Sequence, residues 1–395
     1  MTPAKLLSPA LCVATGLLAL GFVLATPRVE VLWPRYGQPA FVARGEAVVP
    51  VVRRLHPWVP MPEPTHVYPV PFPGKPLKVV HIADLPTEGD EARLDQFVLE
   101  MQLLAPDLIL VTGDYSYVET QPWYDWLRQR LDTIGAPVVA VTGNHEWKDR
   151  PLWLRNFGSR NRFRVDLGPL AILGLDTAHG RDALTPSQVL WLEQTLAAAR
   201  AEGKTPLLLA HHPVFPAGKD GKGEGHGSGG NLKGFQRRLI QLCRTFDVAA
   251  VLSGHWHQDA VFDLDGRFRD DTPDFPGTKF ITTTSLGGAS RLVTRWPVRH
   301  EGWRLLVFDQ GRLVSYTHDP EGKGRRMPVW SQTLGRVRVT HAVAPDGTWT
   351  GASVRNGTDQ MLRGLLPLPD GSRRSLEVPP GETRTLSRTA AEEVK

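Results

Sequence analysis

The sequence predicts an α/β chain built on a largely parallel, covered sheet, and three observations carry that prediction. From Lys78 onward short apolar runs alternate with segments of helical spacing. Those runs are apolar at successive positions, as in Val79-Val80 and Leu108-Ile109-Leu110-Val111, which marks strands buried on both faces. Five of them are followed within three residues by Asp, Asn or His, and in open α/β sheets the carboxyl ends of strands converge on the ligand crevice.

Taken in order, Met1 to Lys5 precede an uncharged stretch from Leu6 to Pro27 that ends in the small-residue spacing Val23-Leu24-Ala25. About 20 apolar residues suffice to cross a bilayer, and the small residues suit signal-peptidase cleavage. Residues 1–25 are therefore expected to be a signal peptide or a membrane anchor. The remainder would be exported, to the periplasm or the extracellular space, or held at the membrane by residues 6–25. Two cysteines, Cys12 and Cys243, exclude a disulfide-stapled scaffold and a multi-thiolate metal site. Residues 26–75 form a proline-rich β segment, with two short strands around a turn between Phe41 and Val52.

The strand at Val79–Ala83 leads into a helix over Glu91–Leu104, with Leu94, Phe97, Val98, Met101 and Leu104 on one face and Asp90 as N-cap. Leu108–Val111, a helix over Trp123–Leu131 and Val138–Val141 complete a βαβαβ order. Leu170–Leu175 is a further strand. Thr185-Pro186 opens the next helix with a cap and a first-turn proline. Leu207–Ala210 and Val248–Leu252 are two more buried strands. Between them Ala217–Gly234 holds eight glycines and three lysines, either a surface insertion or a flap carrying His226. Residues 335–390 alternate again, punctuated by Asp346-Gly347, Asn356-Gly357 and Asp370-Gly371, and read as a small antiparallel β module. It packs on the central domain or completes a sandwich with residues 26–75.

The chain carries a formal charge of +5 over 395 residues with no compact basic stripe, so no nucleic-acid polymer is expected as a partner. The chemistry sits at the strand ends: Asp84, Gly113-Asp114, Gly143-Asn144-His145-Glu146, His211-His212-Pro213 and Gly254-His255-Trp256-His257. The glycines are expected to permit the tight turns that aim these side chains inward. Carboxylate, amide and imidazole without thiolate suit Zn, Fe, Mn or Ni. Singly, each element has a plain structural explanation; together they point to one site. His81, inside a strand, reads as a packed core histidine, and His179 and His300 as loop residues. Trp147 and Trp256 are candidates to line a substrate mouth.

In order and spacing these residues resemble the calcineurin-like metallophosphoesterases, over about Lys78 to Tyr316. The resemblance implies a four-layer αββα sandwich over residues 76–320, a small-molecule phosphate ester as substrate, and two metal ions at the sheet crevice. The first motif departs from the common Asp-x-His, since Asp84-Leu85-Pro86 offers no imidazole. Gly113-Asp114-Tyr115-Ser116-Tyr117 instead resembles the purple acid phosphatase pattern. By that resemblance the first metal takes Asp84, Asp114, Tyr117 and His257, and the second takes Asp114, Asn144, His211 and His255. Ferric iron plus divalent Fe, Zn or Mn is the pair it implies. Hydroxide generated at the metals would attack phosphorus, with His145 or His212 protonating the leaving oxygen. Two rivals stand beside this reading. One is a non-catalytic metal- or phosphate-binding protein, motivated by Pro86. The other is a phosphodiesterase acting on nucleotides or lipid head groups, motivated by the N-terminal anchor.

Overall fold

The computed structural model describes residues 40–44, 47–51, 54–55, 67–70, 74–115, 120–147, 149, 151–152, 162–178, 183–215, 232, 234–257, 259–269, 275–287, 301–316 and 332–388. The expected leader at residues 1–25, Tyr117, His179, His226, His300 and nearly all of the glycine-rich segment lie outside the described residues. Among the described residues no helix is long and apolar enough to cross a membrane.

Strands β1 (Ala40–Arg44) and β2 (Ala47–Val51) pair antiparallel. Strands β3 (Arg54–Leu55) and β4 (Val67–Val70) do not join them; each extends one of two larger sheets. β4 contains Pro69, which has no N–H to give to a ladder, and it lies at a sheet edge where that is tolerated.

The first half of the central domain runs β5 (Leu77–Ile82), α1 (Glu91–Leu104), β6 (Leu108–Val111), α2 (Gln121–Asp132) and β7 (Val138–Ala140). The second half runs β8 (Phe163–Leu167), β9 (Leu170–Gly174), α3 (Pro186–Ala201), β10 (Thr205–Leu209), α4 (Gln236–Thr245), β11 (Ala250–Ser253), β12 (Ala260–Phe262) and β13 (Lys279–Thr282). The chain then returns to the first half through β14 (Gly302–Asp309), β15 (Arg312–Ser315) and β16 (Gln332–Thr333). Two seven-stranded sheets result, one ordered β15-β14-β5-β6-β7-β3 with β16 on β14, the other β12-β13-β11-β10-β9-β8-β4. β5, β6 and β7 are parallel in the first, and β9, β10, β11 and β13 in the second.

The double-sided burial of these strands accounts for their unbroken apolar runs. Val79, Leu110 and Val139 point to the core between the sheets, where they meet Ile172, Leu209 and Leu252. Their neighbours Val80, Ile82 and Ile109 point the other way, onto Leu94, Phe97 and Met101 of α1 and Leu127 of α2. On the far side Leu173, Leu208 and Val251 pack beneath Leu192, Leu196, Leu239 and Cys243 of α3 and α4. The layers are therefore helix, sheet, sheet, helix. Each such fully buried side chain contributes about 1.5–3 kcal/mol.

One helix start differs from expectation. Asp90 makes no side-chain cap on α1, because its carboxylate is paired with Arg93 instead. Thr185 does cap α3, accepting the Gln188 N–H at 3.3 Å.

The C-terminal residues form β17 (Val337–Val343), β18 (Trp349–Asn356), β19 (Leu362–Pro367), β20 (Arg373–Val378) and β21 (Thr383–Ser387), in a three-stranded sheet β17-β18-β21 and a pair β19-β20. Val337, Val354, Leu366 and Val378 merge with the core over α1. Gly364 of β19 lies so close to α1 that a Cβ there would stand 2.0 Å from the Gln102 carbonyl oxygen. The module thus packs on the outer helix of the first sheet. A buried carboxylate, Glu100 of α1, joins the elements by accepting the Trp303 indole N–H and the Gly335 N–H, both at 2.6 Å.

Candidate metal centre

Asp84 follows β5 by two residues, Asp114 follows β6 by three, Asn144 follows β7 by four, and His211 and His255 follow β10 and β11 by two. The parallel order therefore delivers all five to one end of the paired sheets, and direct contacts across the sheets confirm the convergence. The Asp84 Oδ2 accepts the His255 N–H at 3.0 Å, and Oδ1 lies 3.1 Å from His257 Nε2. His211 Nδ1 lies 2.7 Å from the Thr112 carbonyl oxygen. His211 Nε2 is 2.9 Å from Asn144 Oδ1, 3.1 Å from His255 Nδ1 and 3.4 Å from Asp114 Oδ2. The Asp114 Oδ1 accepts the His145 N–H at 3.0 Å, and its Oδ2 stands 3.8 Å from His145 Nε2.

The backbone that holds these side chains is strained at the ligand-type residues themselves. Asp84, Asp114, His255 and His257 have φ of 51°, 55°, 71° and 54°, in the left-handed region. For non-glycine residues this costs on the order of 1 kcal/mol or more each, and it persists where the surroundings over-determine the turn. Of the flanking glycines, one serves the turn-permitting purpose the sequence suggested and two serve another. Only Gly113 is left-handed, at φ 94°. Gly143 and Gly254 are needed for space: a Cβ on Gly143 would lie 2.0 Å from Asp114 Oδ1, and one on Gly254 would lie 2.4 Å from Ala83 Cβ and 2.8 Å from Asp84 Oδ2.

The tautomer of His211 tests whether a cation fits. A carbonyl oxygen only accepts, so Nδ1 donates its proton to Thr112 and Nε2 faces the site. There it meets the Asn144 and Asp114 oxygens and His255 Nδ1, so lone pairs confront one another unless a proton or a cation lies among them. Burial opposes charge on His211, yet the facing Asp114 carboxylate raises it to about 9. Asp114 resists burial in turn and is held well below the usual carboxylate range by His211 and His145. Burial, then the neighbouring His211 and His212, push His255 far down. Burial works against charge on His257 too, but Asp84 raises it. One ligand-capable atom each of Asp84, Asp114 and His211 lie within 4.8 Å of one another, as do those of His211, His212 and His255. Oxygen and imidazole donors around one buried point, with the far nitrogen of a histidine fixed by a carbonyl, fit transition-metal ions.

Other residues occupy supporting positions. His212 is 1% exposed, with Nδ1 3.1 Å from Thr177 Oγ1 and its ring 4.5 Å from that of His255. His145 is the more open of the two histidines considered as acids, its side chain 13% exposed. Pro86 is buried, and a Cβ on Gly287 would lie 2.6 Å from its Cγ, so it fills a packing position. Trp256 is buried with its ring 6.1 Å from that of His255, whereas Trp147 is half-buried. His81 is fully buried, bonded to Thr112 Oγ1 at 2.9 Å. Sequence reasoning placed Glu146 in its motif without a role, and assigned none to Thr112, Thr177 and Ser285. Ser285 donates to the Asp84 carbonyl at 2.9 Å and so ties the β5 end to the segment after β13. An acid immediately after Asn-His in a glycine turn was the one available signal for Glu146.

The family model for "Calcineurin-like phosphoesterase" matches residues 77–259, which span Asp84 through His257. A protein of Synechococcus named "Probable cyclic nucleotide phosphodiesterase" is 32% identical over 238 residues, covering 58% of this chain and 78% of that one. The 3',5'-cyclic adenosine monophosphate phosphodiesterase CpdA of Escherichia coli K12 is 33% identical over 174 residues, 42% of this chain and 60% of that enzyme. A protein of Arcobacter nitrofigilis named "Probable glycerophosphodiester phosphodiesterase GpdQ" is 27% identical over 165 residues, 39% of this chain and 57% of that protein. This chain therefore spans somewhat under two thirds of the length of the latter two. With strand-end residues, layer order and sequence in agreement, the chain is a metallophosphoesterase and belongs to the calcineurin-like phosphoesterase family.

Proposed function

We propose that this enzyme hydrolyses small-molecule phosphate esters, phosphodiesters foremost, at a dinuclear centre built from Asp84, Asp114, Asn144, His211, His255 and His257. The observation that carries this reading is the meeting of Asp114, Asn144 and His255 around one buried nitrogen of His211. The phosphodiester preference is supported by the names of the similar proteins, two for cyclic nucleotides and one for glycerophosphodiesters.

When bound, the metals supply Lewis acidity that activates water and offsets charge on the phosphoryl oxygens. The protein's part follows from its own geometry. Asp114 would be the carboxylate shared between the metals, since its two oxygens turn to His145 and to His211. His145, anchored through its N–H to Asp114, protonates the leaving oxygen. His212 supports the ring of His255 from a buried position, fixed by Thr177. Tyr117 completes the first site in the ferric variant of this reading, and a tyrosinate-to-iron absorption band in the purified protein is its test. Residues 6–25 direct export in the same reading, checked by fractionating cells and sequencing the mature N-terminus.

Rates on bis-p-nitrophenyl phosphate, p-nitrophenyl phosphate, 3',5'-cyclic AMP and glycerophosphocholine, before and after chelation, test the proposal. Diester hydrolysis lost with chelator and restored by Mn²⁺ is expected. Turnover confined to the monoester would overturn the diester preference, and full turnover in excess chelator would overturn the dinuclear centre.

A further inference from the structure

Glu146 is buried to 1% exposure and directs both carboxylate oxygens at backbone N–H groups. Its Oε2 accepts from Gly143 at 2.6 Å and from Asp114 at 3.0 Å, and its Oε1 accepts from Tyr115 at 2.7 Å. One side chain therefore joins the turn after β6 to the turn after β7. Gly143 immediately precedes Asn144, and Asp114 is the left-handed residue at φ 55° whose N–H would otherwise lie buried without an acceptor. Asp114 returns the link, since its Oδ1 accepts the His145 N–H at 3.0 Å. The two turns thus close into a ring of hydrogen bonds, in which Glu146 holds the backbone N–H of Asp114 and that of Gly143, the residue before Asn144.

We infer that Glu146 is a positioning residue for the metal centre, a clamp that sets the separation of Asp114 and Asn144 and thereby the affinity of the site for metal. This rests on the dinuclear reading above. A carboxylate suits the position: ionised, it only accepts, and the N–H groups of Gly143, Asp114 and Tyr115 only donate. A glutamine in the same shape that turns its N–H₂ toward Tyr115 costs the turn after β6 one of its two bonds, and one that turns it toward Gly143 and Asp114 breaks the oxygen bridge between the two turns. Outer partners that orient ligands typically change metal affinity by 10–100-fold when removed.

The test is Mn²⁺ binding by isothermal titration to metal-free wild type, E146Q, E146D and E100Q, at a temperature well below each protein's unfolding midpoint. Glu100 is the control, a buried carboxylate that likewise accepts a tryptophan, an amide and a backbone N–H, but under the C-terminal module. E146Q is expected to weaken Mn²⁺ binding by at least 10-fold, and E146D, which keeps the charge but is one methylene shorter, by a smaller factor. E100Q is expected to lower the midpoint while leaving Mn²⁺ affinity unchanged. Should E146Q not fold, the E146D affinity decides. Glu146 variants that bind as wild type does, or an E100Q protein that loses affinity equally, would overturn the clamp. Wild type that takes up no Mn²⁺ would overturn the metal-centre reading itself, and the clamp with it.

Discussion

Replacing Gly143 by alanine is the perturbation whose size the structure fixes most closely. Gly143 is not left-handed, so an alanine there meets no backbone penalty of its own. The added Cβ would instead stand 2.0 Å from Asp114 Oδ1 and 2.5 Å from Asp114 N. The carboxylate must retreat by roughly 1.4 Å, the difference between 2.0 Å and an ordinary contact of 3.4 Å. It cannot swing away alone, because the Asp114 nitrogen is crowded as well and its N–H is held by Glu146. Either the turn after β6 or that after β7 must shift. A displacement of about 1 Å at a reacting centre can cost about 100-fold in rate, near 2.7 kcal/mol of barrier. Overpacking a buried site also costs about 1–3 kcal/mol of stability. The assay is kcat/KM on bis-p-nitrophenyl phosphate in saturating Mn²⁺, beside thermal unfolding of the same samples. A G143A protein within threefold of wild-type kcat/KM would refute the claim that the two turns are in contact at Asp114.

Three further outcomes follow from the same geometry. D114N removes the carboxylate that faces His145 and His211, and is expected to lower kcat/KM more than 100-fold together with bound metal, measured by elemental analysis. H145A is expected to lower kcat by about 100-fold or more at unchanged metal content, because His145 is assigned to proton transfer and not to ligation. Burial, then the Arg304 guanidinium, push His81 down to about 3, so the folded protein binds its proton less readily than the unfolded chain. The stability held by neutral His81 is therefore complete above pH 6.5 and is lost as pH falls from there toward 3. Urea midpoints of chelated wild type and H81Q between pH 7 and 4.5 check this: the acid-side loss is expected to be shallower in H81Q, and equal slopes would contradict it.

The fold was legible where burial acts on every residue of an element. Strands such as Leu108-Ile109-Leu110-Val111 are apolar throughout because alternate side chains enter different cores, and that shows in composition alone. The division of these strands between two stacked sheets was not legible from the runs, because both sheets impose the same two-sided demand; it came from the family resemblance. The pairing of β4 with β8 was also hidden, because Pro69 reads as a strand breaker and only its edge position makes it acceptable. In the site, residue types at strand ends named the groups that meet, since ligand chemistry restricts the choice to a few side chains. What they do to one another was not readable. Gly143 and Gly254 looked like turn residues, but a chain-distant carboxylate and a methyl group exclude their Cβ atoms. Glu146 looked like the tail of a motif, whereas its partners include Asp114 and Tyr115, more than thirty residues earlier in the chain. Contacts across that distance leave no local periodicity to read.

The most direct test of the metal centre is a crystal structure of Mn²⁺-loaded protein with anomalous scattering measured at the manganese edge. Two peaks about 3.5–4 Å apart are expected, bounded by Asp84, Asp114, Asn144, His211, His255 and His257 with Asp114 touching both. Peaks elsewhere in the molecule, or none among these six side chains, would contradict the account.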